Sequence, residues 1–437
     1  MDLPNGWTYA KLCDLVSSTG VFCDGDWVES KDQDANGDIR LIQLADLGDG
    51  RFLDKSSRFL TKAKAELLRC TYLKKGDILV ARMPDPLGRA IIFPLDDENR
   101  YVTVVDVAII RPGNEYVLNK YCCYVINALP TRNTIAGLQS GTTRKRISRT
   151  KLETVAIPLP PLAEQHRIVA KIDVLFSKLD NGVETLQTIR RQLRTYRQAV
   201  LKWAFEGKEW EYKPFSMVAP SRLGKMLDKV KNTGTFHKYL RNVNVRWFGF
   251  DCSDLLEMKM EENEIEKYQV KKGDLLICEG GEPGRCAIWK SEQTIAFQKA
   301  LHRVRPKDEI ITEFLMYFIS FITTTGAIKP FFTGTGIKHL TGESLNKIPV
   351  PVPSISEQEI IVAAIESRLS VCDKLEQIVD ETLAKAAALR QSILKKAFAG
   401  KLVPQDPNDE PAEKLLERIK AAKTAAVPKA KSAKNVS

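Results

Sequence analysis

Residues 162–205 read LAEQHRIVAKIDVLFSKLDNGVETLQTIRRQLRTYRQAVLKWAF, and this stretch decides the fold. Its apolar side chains recur at alternating steps of four and three residues from Ile168 to Val200, with Gly182 in the one vacant position. That spacing is typical of a helix that packs along a partner helix. At about 1.5 Å per residue the helix would be roughly 65 Å long, more than a compact core needs. We therefore predict a coiled-coil helix; the alternative is an ordinary buried helix of an all-α domain.

A second copy of this stretch lies near the C-terminus, at a constant offset of 193 residues. Residues 151–208 align without a gap with residues 344–401, and 19 of the 58 positions are identical. The chain is therefore two related halves in tandem. The spacing alone leaves open whether the partner helix is this copy or one from another chain. The seam predicted between the two copies consists of Ile168, Ile172, Leu175, Leu179, Leu186, Leu193, Ile361, Ile365, Leu375, Val379, Leu389 and Ile393.

The segments before the two long helices have mixed character. Residues 1–150 contain short runs of β-type residues bounded by turn signals, and residues 209–343 repeat this plan loosely. The motif Lys-Lys-Gly-Asp, for example, occurs at residues 74–77 and again at residues 271–274. Between such anchor points the two segments hardly resemble each other. This contrast indicates a common frame that presents two different surfaces.

The charge of the chain favours a polyanionic partner. Its 437 residues carry a formal net charge of +11. Residues 412–437 contribute seven Lys or Arg against two Glu, so the remainder of the chain is basic as well. After a turn-rich run we predict a short helix over residues 412–420. Residues 421–437 lack core-forming side chains, and we predict that they are disordered.

Several classes of protein are disfavoured by composition. No apolar run is long enough to span a membrane, and the first residues lack a secretory signal, so a cytoplasmic location without membrane contact is expected. The nine cysteines include no Cys-x-x-Cys pair, which favours reduced thiols. The four histidines are not spaced from the cysteines as zinc ligands would be, and we expect no metal site.

Two loops that begin with Gly-Thr, one before each long helix, are the best candidates for contact with an anion. The first Gly-Thr loop, residues 141–151, has five basic residues and no acidic one; the second, residues 334–341, is nearly neutral. Arginine can bind guanine or phosphate through two hydrogen bonds, although a solvated loop is an equally good interpretation. Three further arginines flank Pro/Gly turns and could project into a groove, although an ordinary surface arginine is at least as good an interpretation of each. The candidate DNA contacts are Arg82, Arg89, Arg144, Lys145, Arg146, Arg149, Arg285, Lys338 and His339.

Motifs that would indicate catalysis are missing from the sequence. There is no Gly-x-x-x-x-Gly-Lys-Ser/Thr loop for ATP, and no Asn-Pro-Pro-Tyr or Asp-Pro-Pro-Tyr segment of the kind that amino-methyltransferases use. The glutamates Glu153, Glu164 and Glu357 lie in the repeated frame, where carboxylates more often cap helices than transfer protons. The sequence therefore shows no catalytic constellation.

The repeated motifs resemble those of a known family, the specificity subunits of type I restriction-modification systems. The similar features are a Pro-Leu-Pro-x-x-x-Glu-Gln-x-x-Ile-Val segment at residues 158–169, its copy at 351–362, and Ala-Phe-x-Gly-Lys after each long helix. A Gly-Lys-Leu-Val-Pro-Gln-Asp-Pro segment at residues 400–407 is similar to the family's C-terminal signature. The resemblance covers nearly the whole chain. The chain departs from the family pattern in its near-neutral second Gly-Thr loop, which argues against a rule that this loop always binds phosphate.

The resemblance implies an α+β fold: two mixed α/β target-recognition domains separated by two long antiparallel coiled-coil helices, in a pseudo-twofold tandem repeat. Each domain would read one half of a split, asymmetric DNA site, and the chain would not itself be an enzyme. The partners implied are double-stranded DNA, two methyltransferase subunits and restriction/translocase subunits. S-adenosylmethionine, ATP and Mg would be bound by those partners and not by this chain.

The same resemblance divides the chain into five parts. The expected parts are residues 1–150 (first target-recognition domain), 151–208 (first spacer helix), 209–343 (second target-recognition domain), 344–401 (second spacer helix) and 402–437 (C-terminal signature, short helix and basic tail).

Two other functions stay open at this point. One is a coiled-coil scaffold that binds proteins and has non-specific affinity for DNA; the other is an enzyme whose site the sequence does not reveal. A gel-shift series on a pool of random duplexes, with methyltransferase added, would discriminate between them. A split consensus would indicate sequence recognition, whereas salt-limited binding without sequence preference would indicate a scaffold.

Overall fold

The computed structural model describes residues 3–84, 87–141, 145–228 and 232–425. The chain divides into two compact units: unit 1 is Met1–Glu184 together with Thr382–Ser437, and unit 2 is Thr185–Glu381. Each unit has its own hydrophobic core. Both unit boundaries fall inside long helices, so each long helix contributes residues to both units.

The N-terminal part of unit 1 consists of short strands and short helices, as the turn-rich sequence predicts. The strands are β1 (Thr8–Lys11), β2 (Val21–Asp24), β3 (Ile39–Ile42), β4 (Phe59–Leu60), β5 (Ile78–Ala81), β6 (Ala90–Ile92), β7 (Tyr101–Thr103), β8 (Val107–Arg111) and β9 (Ala156–Leu159). The α-helices are α1 (Lys62–Leu67), α2 (Asn119–Asn127), α3 (Leu129–Gly137) and α4 (Arg149–Glu153), with 3₁₀ turns at Leu12–Leu15, Ser30–Asp32 and Leu44–Asp46.

The first long helix, α5 (Leu162–Phe205), has the bounds that the heptad spacing indicates. Unit 2 then repeats the mixed plan of unit 1. Its strands are β10 (Tyr212–Pro214), β11 (Ser221–Leu223), β12 (Thr235–Leu240), β13 (Val245–Arg246), β14 (Gly249–Phe250), β15 (Leu256–Met260), β16 (Gln269–Val270), β17 (Leu275–Cys278), β18 (Cys286–Ile288), β19 (Ile295–Phe297), β20 (Leu301–Val304) and β21 (Pro349–Pro351). Its short helices are α6 (Phe215–Val218), α7 (Glu262–Tyr268), α8 (Thr312–Thr325) and α9 (Gly342–Asn346), with 3₁₀ turns at Asn242–Asn244 and Lys329–Phe331.

The second long helix is α10 (Ile355–Ala397), and it is followed by α11 (Ala412–Ala425). The helix α11 is longer than the predicted 412–420, so the prediction of disorder is wrong for residues 421–425. The reason lies at the end of α11, where the ammonium group of Lys423 donates a hydrogen bond to the Cys13 carbonyl at 2.7 Å. Residues 426–437, the remainder of the predicted tail, lie outside the described residues.

The sheets of the two units follow one plan, which confirms the predicted tandem repeat and the α+β class. Unit 1 has the strand orders β2-β8-β5-β6 and β4-β3-β7, and unit 2 has β11-β20-β17-β18 and β15-β12-β19-β16. In each unit the three-strand core of the second sheet contains one parallel pair, β3 with β7 and β12 with β19. A separate two-strand ribbon, β1 with β9 or β10 with β21, leads into each long helix.

The Lys-Lys-Gly-Asp motifs fix a turn and an ion pair in each unit. Asp77 accepts a hydrogen bond from the Lys74 backbone amide and two from the Arg111 guanidinium, both at 2.6 Å. Asp274 is bonded in the same way by the Lys271 amide and by Arg305. These aspartates therefore join the start of one core strand to the end of its neighbour, and the motif serves the fold rather than a ligand.

A buried glutamine in the first turn of each long helix joins three segments. The Gln165 side chain accepts the Leu118 backbone amide and donates to the carbonyls of Tyr116 and Pro160. Gln358 makes the equivalent three bonds in unit 2. The preceding glutamate, Glu164 or Glu357, accepts the indole N–H of Trp7 or Trp210 at 2.9 and 3.0 Å. The motif Glu-Gln therefore fastens each long helix to its own domain.

The two long helices run antiparallel within unit 2, because ion pairs link Arg190 to Asp380 and Arg197 to Asp373, both at 2.6 Å. In unit 1, Arg390 pairs with Asp180 and lies 4.1 Å above the Phe176 ring. The partner helix that the spacing left open is thus the copy in this chain.

The predicted seam is partly wrong. Leu375 and Leu389 are 42% and 51% exposed, because a helix of 3.6 residues per turn drifts away from a strict seven-residue repeat over its length. Leu175, Leu179 and Leu186 are half-buried. The remaining predicted seam residues are buried: Ile168, Ile172, Leu193, Ile361, Ile365, Val379 and Ile393.

The helix that packs under the start of each long helix differs between the units. In unit 2 it is the continuous α8, whereas in unit 1 it is broken into α2 and α3 at Ala128, whose ψ is 140°. Pro130 explains the break, since proline inside a helix lacks the N–H and collides with the preceding turn. This difference determines the shape of a groove described below.

Candidate nucleic-acid interface

The two Gly-Thr loops are closed in the same way. In the first, Ser140 and Arg146 exchange two backbone hydrogen bonds of 2.8 and 2.9 Å; in the second, Thr333 and His339 exchange bonds of 2.8 and 3.0 Å. The next residue of each loop, Ile147 or Leu340, donates its amide to a carbonyl at the end of a core strand. Each loop is therefore held against the sheet at its base.

The predicted contacts within these loops have different surroundings. Lys145 and Arg146 are exposed, and Arg144 lies outside the described residues. Arg149 is the first residue of α4 and pairs with Glu153 at 3.2 Å, so part of its charge is satisfied within that helix. In the second loop the Lys338 ammonium donates to the Gly334 carbonyl, and His339 is half-buried. The first loop thus offers more cationic surface, as the sequence indicates.

The prediction that Arg82 projects into a groove is wrong. Its side chain is buried and pairs with Asp24 at 2.5 Å. Its guanidinium also donates to the Ile147 and Val105 carbonyls, both at 3.0 Å. The sequence gives no sign that Asp24 lies opposite. Arg82 therefore joins the end of β2, the loop before β8 and the base of the first Gly-Thr loop.

Arg89 and Arg285 are also placed differently from the prediction. They hold equivalent positions, and each donates to the first carbonyl of a 3₁₀ turn: Arg89 to Leu44 at 2.9 Å, Arg285 to Asn242 at 2.8 Å. Arg285 also pairs with Glu282 at 2.7 Å. Both arginines consequently fasten a hairpin to a neighbouring turn, and their donors are directed inward.

Two exposed apolar side chains were missed by the sequence analysis. Trp27 and Met226 each follow the residue that bridges to the core sheet, Asp26 to Val104 in unit 1 and Lys225 to Gln298 in unit 2. Trp27 is 66% exposed and Met226 is 65% exposed. Aromatic side chains stack on bases, and methionine is among the residues that wedge between base steps. A single tryptophan after a turn signal is too weak a pattern to predict this exposure.

Trp27 borders an open cavity of about 430 Å³. The indole N–H donates to Glu29 at 3.1 Å, which leaves the ring faces free to pack against another molecule. Gln43, Leu44 and residues 104–106 also line the cavity. Because Arg82 holds Val105 and Ile147, the cavity and the first Gly-Thr loop lie on one edge of the domain.

Asp26, on the floor of this cavity, has an unusual carboxyl group. Burial raises its pKa to about 6, although the Thr71 amide donates to both carboxylate oxygens at 3.0 and 3.2 Å. The neighbouring thiol of Cys70 has its pKa raised as well, mainly by burial. Asp26 therefore takes up a proton at a higher pH than an ordinary aspartate does.

No group of three His, Cys, Asp or Glu side chains within residues 3–425, apart from the undescribed gaps, is arranged to hold a metal ion. In the same described part of the chain, no helix has both the length and the apolar character needed to cross a bilayer.

Comparison with known proteins gives one family. The family model for the type I restriction modification DNA specificity domain matches residues 4–191 and again residues 208–383. Among curated proteins, the specificity subunit of the type I restriction enzyme EcoKI from Escherichia coli K12 is 28% identical over 345 residues, which is 72% of this chain and 74% of that protein. The putative MjaX specificity subunit of Methanocaldococcus jannaschii is 22% identical over 427 residues, 92% of this chain and 95% of that one.

Two solved structures share the fold. One comes from work on complex assembly and conformational transition of a type I R-M system; it has a TM-score of 0.73 at 18% identity and covers 92% of this chain and all of its own. The other is the HsdS subunit from Thermoanaerobacter tengcongensis, with a TM-score of 0.50 at 18% identity, covering 92% of this chain and 98% of that one.

Proposed function

The chain belongs to the family of type I restriction-modification DNA specificity subunits, and from this premise we propose that each of its two domains reads one half of a split, asymmetric DNA site. The observation that carries the proposal is the repeated frame with unlike surfaces. The same glutamine, aspartate and tryptophan contacts occur twice, while the exposed loops differ in charge and residue type. We assign the two recognition domains to residues 1–150 and 209–343.

We assign two kinds of contact with DNA, one from the first domain alone and one from both domains. Lys145 and Arg146 would neutralise phosphates, which gives affinity without sequence preference. Trp27 and Met226 would contact bases or unstack a base step, which makes binding depend on sequence and deformability. Arg82, Arg89 and Arg285 would support these surfaces from beneath without touching DNA.

The partners we propose are two methyltransferase subunits, which modify adenine, and restriction/translocase subunits. S-adenosylmethionine, ATP and Mg would be bound by those partners. The family supports a role in recognition rather than catalysis, since the relatives are named specificity subunits of restriction enzymes. The isolated chain should then bind DNA weakly and should gain affinity with stoichiometric methyltransferase.

The test is selection of sequences from a random duplex pool by the chain with methyltransferase subunit. We expect a consensus of two short blocks separated by a gap. Replacement of residues 1–150 by the corresponding domain of a relative should change one block and leave the other intact. A consensus in which both blocks change together would refute independent reading, and binding without any consensus would indicate a scaffold.

We propose further that the long helices set the gap between the blocks. Four residues inserted after Gly182 in α5, matched by four after Leu383 in α10, would add about one helical turn of 6 Å. Duplex DNA rises about 3.4 Å per base pair, so the gap should grow by one or two base pairs. Insertion of two residues instead would turn the apolar face away and should impair folding. An unchanged gap in an active four-residue variant would exclude this role.

A further inference from the structure

An apolar groove of about 440 Å³ opens on unit 1 beside the end of α10. Its apolar walls include Tyr9, Val125, Ala128, Pro158 and Phe398. Two exposed cations, Lys395 and Lys401, also line it. The groove has no part in the DNA contacts proposed above.

The repeat identifies the equivalent place in unit 2. Phe398 corresponds to Phe205 at the constant offset of 193 residues. The helix beneath each is anchored by the same glutamine bond, and its first ring packs edge-on or tilted: Tyr121 lies 5.5 Å from Phe398, and Phe314 lies 5.3 Å from Phe205. The same offset pairs Val125 with Phe318 and Ala128 with Phe321. These two pairs differ in size.

In unit 2 the larger side chains fill the space. The rings of Phe318 and Phe321 lie 5.7 and 5.5 Å from the Phe205 ring, and Phe321 is stacked on it. Phe205 is consequently only 4% exposed, whereas Phe398 is half-buried. The groove in unit 1 therefore exists because valine and alanine stand where unit 2 has two phenylalanines, next to the helix break that Pro130 imposes.

The charges at the groove differ in a matching way. In unit 2, Lys202 pairs with Glu206 at 3.2 Å. The equivalent residues in unit 1 are Lys395 and Ala399, so the acidic partner is missing. Among the residues that the structure describes, no carboxylate lies within ion-pair distance of Lys395 or Lys401.

We propose that this groove binds a segment of a partner protein that inserts an aromatic side chain beside Phe398 and places carboxylates against Lys395 and Lys401. Unit 2 fills the equivalent place with its own aromatic rings and pairs its lysine with its own glutamate. A ligand of the groove in unit 1 would therefore have to provide both an aromatic ring and carboxylates. Aromatic side chains gain most from such an apolar site, and the carboxylates supply charge complementarity. The two units are then not equivalent in protein binding.

The test uses the full chain and a synthetic peptide, acetyl-Glu-Glu-Phe-Glu-Glu-amide, with fluorine on the phenyl ring, titrated by ¹⁹F NMR. We expect saturable binding that weakens with salt. Filling the groove with Val125→Phe and Ala128→Phe, the residues of unit 2, should weaken binding at least tenfold. Lys395→Glu should weaken it several-fold. The matched control Lys202→Glu, at the equivalent position of unit 2, should leave binding unchanged.

Three results would overturn the proposal: equal affinity in the folded groove-filled variant, equal affinity in Lys395→Glu, or displacement of the peptide by a short duplex DNA. If the groove-filled variant does not fold, the exposed Lys395→Glu change decides, since it removes no packing. A peptide with lysines in place of the glutamates should not bind; if it binds as well, the charge assignment is wrong. Because the peptide titrations of the variants contain no DNA, a failure in them would leave the recognition proposal untouched.

Discussion

Asp26 and Lys225 occupy the same place in the two units and carry opposite charges. The Asp26 amide donates to the Thr103 carbonyl at 2.7 Å, and the Lys225 amide donates to the Phe297 carbonyl at 3.0 Å. A glycine precedes each of them, and a side chain at either glycine would collide with the neighbouring strand. The backbone contacts of this place are thus conserved between the units although the side chains are not.

The two charges are satisfied by different partners. Asp26 accepts the Thr71 amide, whereas the Lys225 ammonium donates to both oxygens of Glu264 at 2.6 Å. This difference indicates that backbone hydrogen bonds and a few side chains common to both units stabilise the frame of each unit. The remaining positions, including Trp27 and Met226 immediately after these residues, are free to vary and so can provide two different recognition surfaces.

The largest expected effect concerns the shared frame. Asp77→Ala leaves the mostly buried Arg111 without its partner, and breaking such a pair costs about 3–5 kcal/mol of the free energy of unfolding. Asp274→Ala should cost less, about 1 kcal/mol, because the Arg305 side chain is 45% exposed and solvent screens it. Urea unfolding with hydrogen exchange would measure the loss in each unit. Equal losses would mean that exposure of the arginine does not govern this contact.

The next effect distinguishes the two charged positions by pH. Because burial raises the pKa of Asp26 to about 6, the folded state holds a proton that the unfolded state has released. The protonated Asp26 therefore contributes fully to the free energy of unfolding below about pH 4, and this contribution is lost as the pH rises to about 6. After allowance for solvent screening, the loss should be about 1–2 kcal/mol. Asp26→Asn should flatten this slope in thermal melts of the full chain. Asp96→Asn, an exposed carboxylate of the same unit, should not.

The comparison of the two Gly-Thr loops predicts a smaller effect on DNA binding. Lys145→Ala with Arg146→Ala should reduce the salt slope of the complex by about 1.8, or 0.9 for each phosphate contact. Lys338→Ala should reduce it by half as much or less, since its ammonium is bonded to the loop. Titrations at several salt concentrations would measure the slopes on specific and unrelated duplexes. Loss of sequence preference at unchanged slope would place the first pair on bases instead.

The smallest effect concerns the lysines at the ends of the long helices. Lys202→Ala removes an exposed pair four residues apart and should cost about 0.3–0.5 kcal/mol of unfolding free energy. Lys395→Ala should leave the unfolding free energy unchanged within error, because Ala399 stands where the partner would be. A clear loss for Lys395→Ala would reveal an ion pair that unit 1 provides in solution and would weaken the argument for an external acidic partner.

The sequence was most informative where one interaction repeats many times. The apolar spacing predicted the long helix α5, and the gap-free alignment predicted its copy α10; the anchoring role of Gln165 and Gln358 became evident only in the structure. The predicted seam was wrong at Leu375 and Leu389, which are exposed. The apolar face of a long helix rotates slowly along its length, so the error accumulates although the sequence spacing looks regular at each step.

Single contacts between distant segments could not be predicted. Arg82 lies beside a Pro/Gly turn in the sequence, and only the fold reveals that Asp24 and the Ile147 carbonyl converge on it. The groove beside Phe398 required both units to be compared in three dimensions. The alignment pairs Val125 with Phe318, but it does not indicate that the space beside Val125 stays open in unit 1 whereas phenylalanine rings fill the equivalent space in unit 2.

The division of the chain into units has a consequence for the order in which it can fold during synthesis. Unit 2 is one continuous segment, so all of its residues are available once Glu381 has been made. Unit 1 begins the chain, yet its core includes Ile393, Ala397, Ala412 and Ile419. Domains commonly fold in the order in which they emerge. Here unit 1 must wait for residues that are made after the whole of unit 2, and unit 2 can be complete before it.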